Sequence, residues 1–158
     1  MDSYIDPGDQ RYSARARKLV AIGRDAIAKA DDAALDAYFA PDYVLHGPDG
    51  DVDFPTLKAF FASMRSAMAE FACERIFLIE QGNFIAARTV MTGIFMHPLA
   101  GTAVGTIPPN NRTIRRELQN IFRFADDGRL AEEWVRYDNL SFLKQLGVDL
   151  LKGESPPS

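Results

Sequence analysis

Proton-transfer chemistry in this 158-residue chain narrows to a handful of side chains. It has two histidines, His46 and His97, and a reference pKa near 6.5 suits general acid/base work at neutral pH. His46 ends the strand-like run Asp42-Tyr43-Val44-Leu45-His46, just before the turn cluster Gly47-Pro48-Asp49-Gly50. Pockets in open sheets favour such strand ends; a histidine hydrogen-bonded in the following loop is the competing reading. His97, followed by Pro98, reads as a surface turn residue. Glu133 is the preferred acid/base, because apolar surroundings would raise a carboxyl pKa toward the working range. Its alternative is a solvent-facing strand acid. Asp138 is a further catalytic candidate, with pairing to Arg88 in a buried ion pair as the favoured structural reading. Arg88 would otherwise bind a substrate carboxylate or an enolate oxygen. Asn120 can polarise a carbonyl although it does not titrate. Trp134 and Tyr137 offer flat surfaces to a polycyclic or terpenoid ligand, though strand aromatics are more often core.

Composition bounds what these residues can serve. With 18 Lys and Arg against 22 Asp and Glu, the net charge of -4 argues against a large nucleic-acid footprint. A hydrophobic fraction of 47% with 25% charged residues is that of one globular domain. Cys73 is a single cysteine, which excludes an internal disulfide and a cysteine metal cluster and fits a reducing compartment. Two widely separated histidines without H-E-x-x-H give no transition-metal site. No Gly-rich phosphate loop and no G-x-S-x-G elbow is present. The first residues, Met1-Asp2-Ser3-Tyr4-Ile5-Asp6-Pro7, do not read as a signal peptide, and no apolar run approaches a membrane span. The expectation is a cytoplasmic protein with no membrane or nucleic-acid partner, no metal and no cofactor.

Helices come first along the chain. Leu19, Val20, Ile22, Ala26 and Ile27 recur at helical spacing and predict a helix over 12–30. Asp31 or Asp32 caps a short helix over 33–39, stopped by Pro41. Asp53 caps a third, with Leu57, Phe60, Phe61, Met64 and Met68 as its buried stripe. The period then changes to that of strands, over 73–80, 84–97, 100–107, 113–125 and 130–138, with a last helix over 140–146 ending at Gly147. Residues 1–10 and 151–158 are expected to be flexible ends of a single domain spanning 11–150. Helices followed by an antiparallel run give an α+β domain, with helices packed on one face of a curved sheet that encloses a pocket as readily as a core.

Several separated segments resemble the SnoaL-like polyketide cyclases. These are Phe39-Ala40-Pro41-Asp42-Tyr43-Val44, Arg88 in its strand, Gly105-Thr106-Ile107-Pro108-Pro109, Phe122-Arg123-Phe124, Asp127-Gly128-Arg129-Leu130, the run from Glu132 to Asn139, and Leu143-Lys144-Gln145-Leu146-Gly147. The resemblance implies the cone-shaped half-barrel shared with nuclear transport factor two and ketosteroid isomerase, a deep apolar pocket, and often a homodimer. It also implies an acid/base aspartate on the last strand, assisted by a histidine on the preceding one. Aligning Arg123 and the Gln145-Leu146-Gly147 ending puts Val135 at the aspartate's position and Asn120 at the histidine's. Glu133 and Tyr137 flank Val135 by two residues and share its face on a regular strand. A single β-bulge would instead turn Trp134, Arg136 and Asp138 inward.

Function is then expected to be cofactor-independent acid/base chemistry on a small-to-medium apolar carbonyl compound, of cyclase, isomerase or dehydratase type. Glu133, His46 and Asp138 are the catalytic candidates; Asn120, Arg88, Tyr137, Trp134, Tyr43 and Val135 would bind the substrate. The alternative is a non-catalytic small-molecule-binding domain, since Val135 moves no proton. A scaffold whose cone is plugged by Phe84, Met91 and Phe122 ranks lower.

Overall fold

The computed structural model describes residues 3–152. Helix α1, Ala14–Ala21, starts where the Ser13 side chain accepts the Ala16 N–H. It widens into a π-helical turn over Ile22–Ile27, where the Ala28 N–H reaches the Gly23 carbonyl at 3.2 Å. Gly23 permits this turn to lie on the sheet, because a Cβ there would sit 3.0 Å from the Cys73 carbonyl oxygen. Asp31 caps α2, Asp32–Tyr38, by accepting the Ala34 N–H. Pro41 does not stop this helix. The chain is already extended at Phe39, and Pro41 lies within β1, Phe39–Gly47, in the irregular stretch where pairing slips between Phe39 and Val44.

A short strand unforeseen in the sequence, β2, Gly50–Asp53, leads into α3, Phe54–Ala67, capped by Asp53 with Pro55 in the first turn. Met68, expected on α3, is instead the first buried residue of β3, Met68–Gln81. There follow β4, Phe84–Phe95, then β5, Leu99–Thr102, and β6, Gly105–Ile107, then β7, Thr113–Phe124, β8, Leu130–Tyr137, and α4, Asn139–Gln145. The single strand expected over 100–107 is thus a small hairpin of its own, β5 with β6.

The main sheet runs β2-β1-β8-β7-β4-β3, antiparallel except for the β1–β8 pair. Bulges in β3, between Ala69 and Ala72 and between Arg75 and Phe77, bend the long strands. The result is the expected α+β architecture, a strongly curved and unclosed sheet with helices in its concavity. Leu19, Ile27, Leu35 and Phe61 from the helices meet Ile85, Phe122 and Leu130 from the strands in the main core. A second cluster, including Met64, Phe95, Ile114 and Leu146, closes the far end beneath α4. Ile5, in the segment expected to be loose, is buried and donates its N–H to the Arg75 carbonyl at 2.9 Å. Residues 153–158 of the expected tail lie outside the described residues.

Candidate active site

The concave face of the sheet encloses a cavity of about 470 Å³, within the range of small-molecule sites. Met91 and Phe122 line it without filling it, while Phe84 sits on the opposite face, so the cone is not plugged by these three. Strand alternation decides which polar side chains enter. On β8, Glu133, Val135 and Tyr137 point inward and Trp134 and Arg136 outward. On β7 the inward set includes Arg116, Leu118, Asn120 and Phe122. Asn120 lies directly opposite Val135, so the two positions that carry the acid/base pair in the resemblance are neighbours here as an amide and a methyl pair.

Glu133 is 6% exposed, and burial pushes its carboxyl up from the ordinary glutamate value. Two hydrogen bonds and a positive charge work against that rise. Asn120 Nδ2 donates to Oε2 at 2.8 Å, and Tyr43 Oη donates to Oε1 at 2.8 Å. The positive charge is that of Arg75, which makes no direct ion pair with Glu133. Arg75 Nη1 donates to Thr89 Oγ1 at 2.5 Å, and Thr89 Oγ1 donates to Asn120 Oδ1 at 2.7 Å. A buried chain Arg75–Thr89–Asn120–Glu133–Tyr43 therefore fixes the carboxylate. Each carboxylate oxygen keeps a second lone pair for a proton. Tyr38 and Arg75 line the same cavity; Tyr38 Oη and Arg75 Nε are buried and have no hydrogen-bond partner among the described residues. The Tyr38 hydroxyl is held far above the ordinary tyrosine pKa, first by burial, and so stays a donor.

The other candidates lie elsewhere. His46 faces outward: its Nδ1 is 2.7 Å from Asp51 Oδ1, its Nε2 is 2.6 Å from Glu132 Oε2, and its ring lies 5.2 Å from that of Trp134. Those carboxylates raise the imidazole pKa. Trp134 shares that outer face and is not part of the cavity. Asp138 is the exposed N-cap of α4, accepting the Ser141 N–H, because β8 runs without a bulge through its inward residues. Arg88 does not meet Asp138. It is exposed on β4 and bonds Glu117 across to β7, with Nε at 2.8 Å. Tyr43 is behind Glu133 and positions it. His97 donates its backbone N–H to Ala67 and stays exposed.

Arg75, Thr89, Tyr38 and Arg116 escaped the sequence reading. A signal existed for three of them: period-two alternation from Cys73 reaches Arg75, and from Asn120 it reaches Arg116 and, across the sheet, Thr89.

The sequence profile of the SnoaL-like polyketide cyclases matches residues 18–146. The chain belongs to the SnoaL-like polyketide cyclase family. Solved structures of similar shape agree with that fold. IdmH from Streptomyces antibioticus, a polyketide cyclase candidate, superposes with a TM-score of 0.69 at 23% identity, covering 86% of this chain and 100% of its own. A SnoaL-like cyclase candidate from Jannaschia sp. CCS1 gives 0.71 at 15% identity, over 90% and 93% of the two chains. AclR from Streptomyces galilaeus, a hydroxylase candidate, gives 0.68 at 19% identity, over 85% and 93%. No curated protein sequence matches. No helix of the described residues is long and apolar enough to cross a membrane.

Proposed function

We propose that this family member is a cofactor-independent acid/base enzyme acting on an apolar carbonyl compound, by cyclisation, isomerisation or dehydration. The observation that carries it is Glu133, a buried carboxylate on the cavity wall with both oxygens oriented and its pKa raised. Glu133 takes the proton α to the carbonyl, and the C–H electron pair moves into the enolate. The positive charge of Arg75, which lines the same cavity and already acts on Glu133, favours the oxygen that becomes negative. Return of the proton from Glu133 to another atom completes an isomerisation; attack of the enolate carbon on a second carbonyl closes a ring, and the alkoxide so formed takes that proton from Glu133.

Solvent-deuterium exchange tests this without knowledge of the natural substrate. A panel of 2-tetralone, 1-indanone and longer aryl ketones is incubated in D2O and followed by ¹H NMR. Exchange above the buffer rate that disappears in Glu133→Gln is expected. Binding without exchange would favour the second reading, a non-catalytic pocket, which draws on Val135 at the aspartate position of the family.

The same reading includes a homodimer in the cytoplasm. Ile79, Ala86, Ile121, Trp134 and His46 are successive cross-strand neighbours over the outer face. Phe77, Ile79, Phe84 and Ile121 are exposed there, bordered by the mixed-sign pairs Arg88–Glu117 and Arg123–Glu132. A face with both signs and an apolar centre suits a two-fold contact with a second copy. Sedimentation equilibrium of the wild type and Ile121→Arg tests it, with dimer and monomer expected respectively.

A further inference from the structure

Arg116 is the buried charge that the acid/base scheme does not use. It projects from β7 into the cavity, is 6% exposed, and its Nε has no hydrogen-bond partner. Its guanidinium lies 3.9 Å from the centroid of Tyr137, 4.3 Å from that of Phe142 and 5.5 Å from that of Phe60. The charged groups facing it are few. Asp49, exposed in the β1–β2 turn at the rim, acts on it only through its charge, and the Tyr137 hydroxyl supports the guanidinium as a neutral hydrogen-bonding neighbour. Among the described residues no carboxylate reaches it within ion-pair distance, although Arg24, Arg88 and Arg123 all have one.

Burial of an unpaired cation is costly, and burial does act against its charge. Aromatic faces recover part of that cost through cation–π contact. A ring's π face offers no lone pair, so cation–π contact leaves the N–H donors of a guanidinium unspent. A planar fork of donors held between rings is the geometry that receives a carboxylate in bidentate fashion.

We propose that Arg116 is an anion subsite and the specificity-determining residue of the cavity, so that the substrate carries a carboxylate at the end remote from its reacting carbonyl. The proposal depends on the acid/base reading only for which end reacts. Arg116 and Asn120 are four residues apart on β7, about 13 Å of strand at ~3.3 Å per residue. Asn120 holds Glu133 at the other end of that span. A fused-ring skeleton or a medium acyl chain bridges it, and the lining between, Leu118, Met91 and Val135, is apolar. The substrate class is therefore an amphipathic keto acid rather than a neutral ketone.

The test is a matched pair of probes, 2-naphthylacetate and 2-naphthylacetamide, titrated calorimetrically into the full chain. The wild type is expected to bind the acid at least about tenfold more tightly than the amide, the scale of a charge-assisted bidentate contact in a dry site. Arg116→Met should bring the two affinities within about twofold by weakening only the acid, and Arg116→Lys should keep part of the preference. Equal affinities in the wild type, no binding of either probe, or a preference that survives in folded Arg116→Met would each overturn the proposal. If Arg116→Met loses its cooperative melt, the wild-type ratio and Arg116→Lys decide. Glu133→Gln separates the two readings: it should abolish ketone exchange yet retain the acid preference. Loss of exchange chemistry with the preference intact leaves the subsite standing, and the converse leaves the acid/base enzyme without it.

Discussion

Glu132 and Glu133 are neighbours on β8 with opposite fates. Glu133 points into the cavity, where burial raises its carboxyl pKa against the pull of Asn120, Tyr43 and Arg75. Glu132 points outward, where His46 and then Arg123 lower its pKa through hydrogen bonds at 2.6 Å and 2.9 Å. The residue type is the same and the separation is one peptide. What differs is the pleat, which sends successive side chains to opposite faces of the sheet. A carboxylate gains reactivity by being desolvated and oriented, and loses it by being satisfied with cations at the surface. The arginines repeat the lesson: Arg88 is neutralised outside by Glu117, whereas Arg75 and Arg116, on the concave face, keep unpartnered donors.

The largest effect expected from this contrast is on turnover. Glu133→Gln should lower the ketone exchange rate about 10²- to 10⁴-fold, while Glu132→Gln stays within about twofold of wild type, as befits a group that touches no substrate. Equal losses in the two variants would erase the distinction.

Next in size is the pH response. Because the base must be ionised, kcat/KM should rise with pH along a limb lying above the ordinary glutamate pKa. Tyr43→Phe removes a hydrogen bond that lowers that pKa, so the limb should move to higher pH with kcat reduced about tenfold and KM little changed. A purely structural role for Tyr43 would leave the limb in place.

Stability separates the two glutamates by sign. A raised folded-state pKa at Glu133 favours folding below the unfolded value near 4.5, and this contribution is lost as pH rises through the folded pKa. Thermal melts should therefore show Glu133→Gln gaining on the wild type as pH increases. Glu132 and His46 behave in the opposite and complementary way. The lowered pKa of Glu132 supports folding above 4.5 and fails as pH falls through its folded value; the raised pKa of His46 supports folding below 6.5 and fails as pH rises through its own. His46→Gln should thus cost most between those two limits. The effect is small because the pair is solvent-accessible.

Smallest of all, Trp134→Ala should leave the affinity of the naphthyl probes unchanged within about twofold, since its ring lies on the outer face. A tenfold loss measured by calorimetry would put the ring in contact with ligand after all.

Much of this is legible in the sequence. Apolar spacing over Leu19–Ile27 and Leu57–Met64 marks helices because only a 3.6-residue period gathers those side chains on one face. Asp31, Asp53 and Gly147 mark helix ends, the first two as caps and Gly147 by its φ of 97°. Alternation on β8 put Glu133, Val135 and Tyr137 on one face, and that face is the cavity wall. His46, Trp134, Arg88 and Asp138 have suitable chemistry but lie outside it, since residue type carries no information about which face of a strand turns inward. The Pro41 stop was a local inference overridden by the β1–β8 pairing.

By itself the sequence determined the succession of helices and long strands, though not the short β2 or the β5–β6 split, together with the family resemblance and the presence of a carboxylate two residues from the position that the resemblance gives to the acid. These are written in period, turn chemistry and motif, all local along the chain. Only the tertiary structure decided that Arg75 reaches Glu133 through Thr89 and Asn120, that Tyr43 holds the other oxygen, and that Arg116 is left between aromatic rings without a carboxylate. Those contacts join strands whose residues are tens of positions apart, and their energies depend on burial and register, which exist only once the sheet has curved around its cavity.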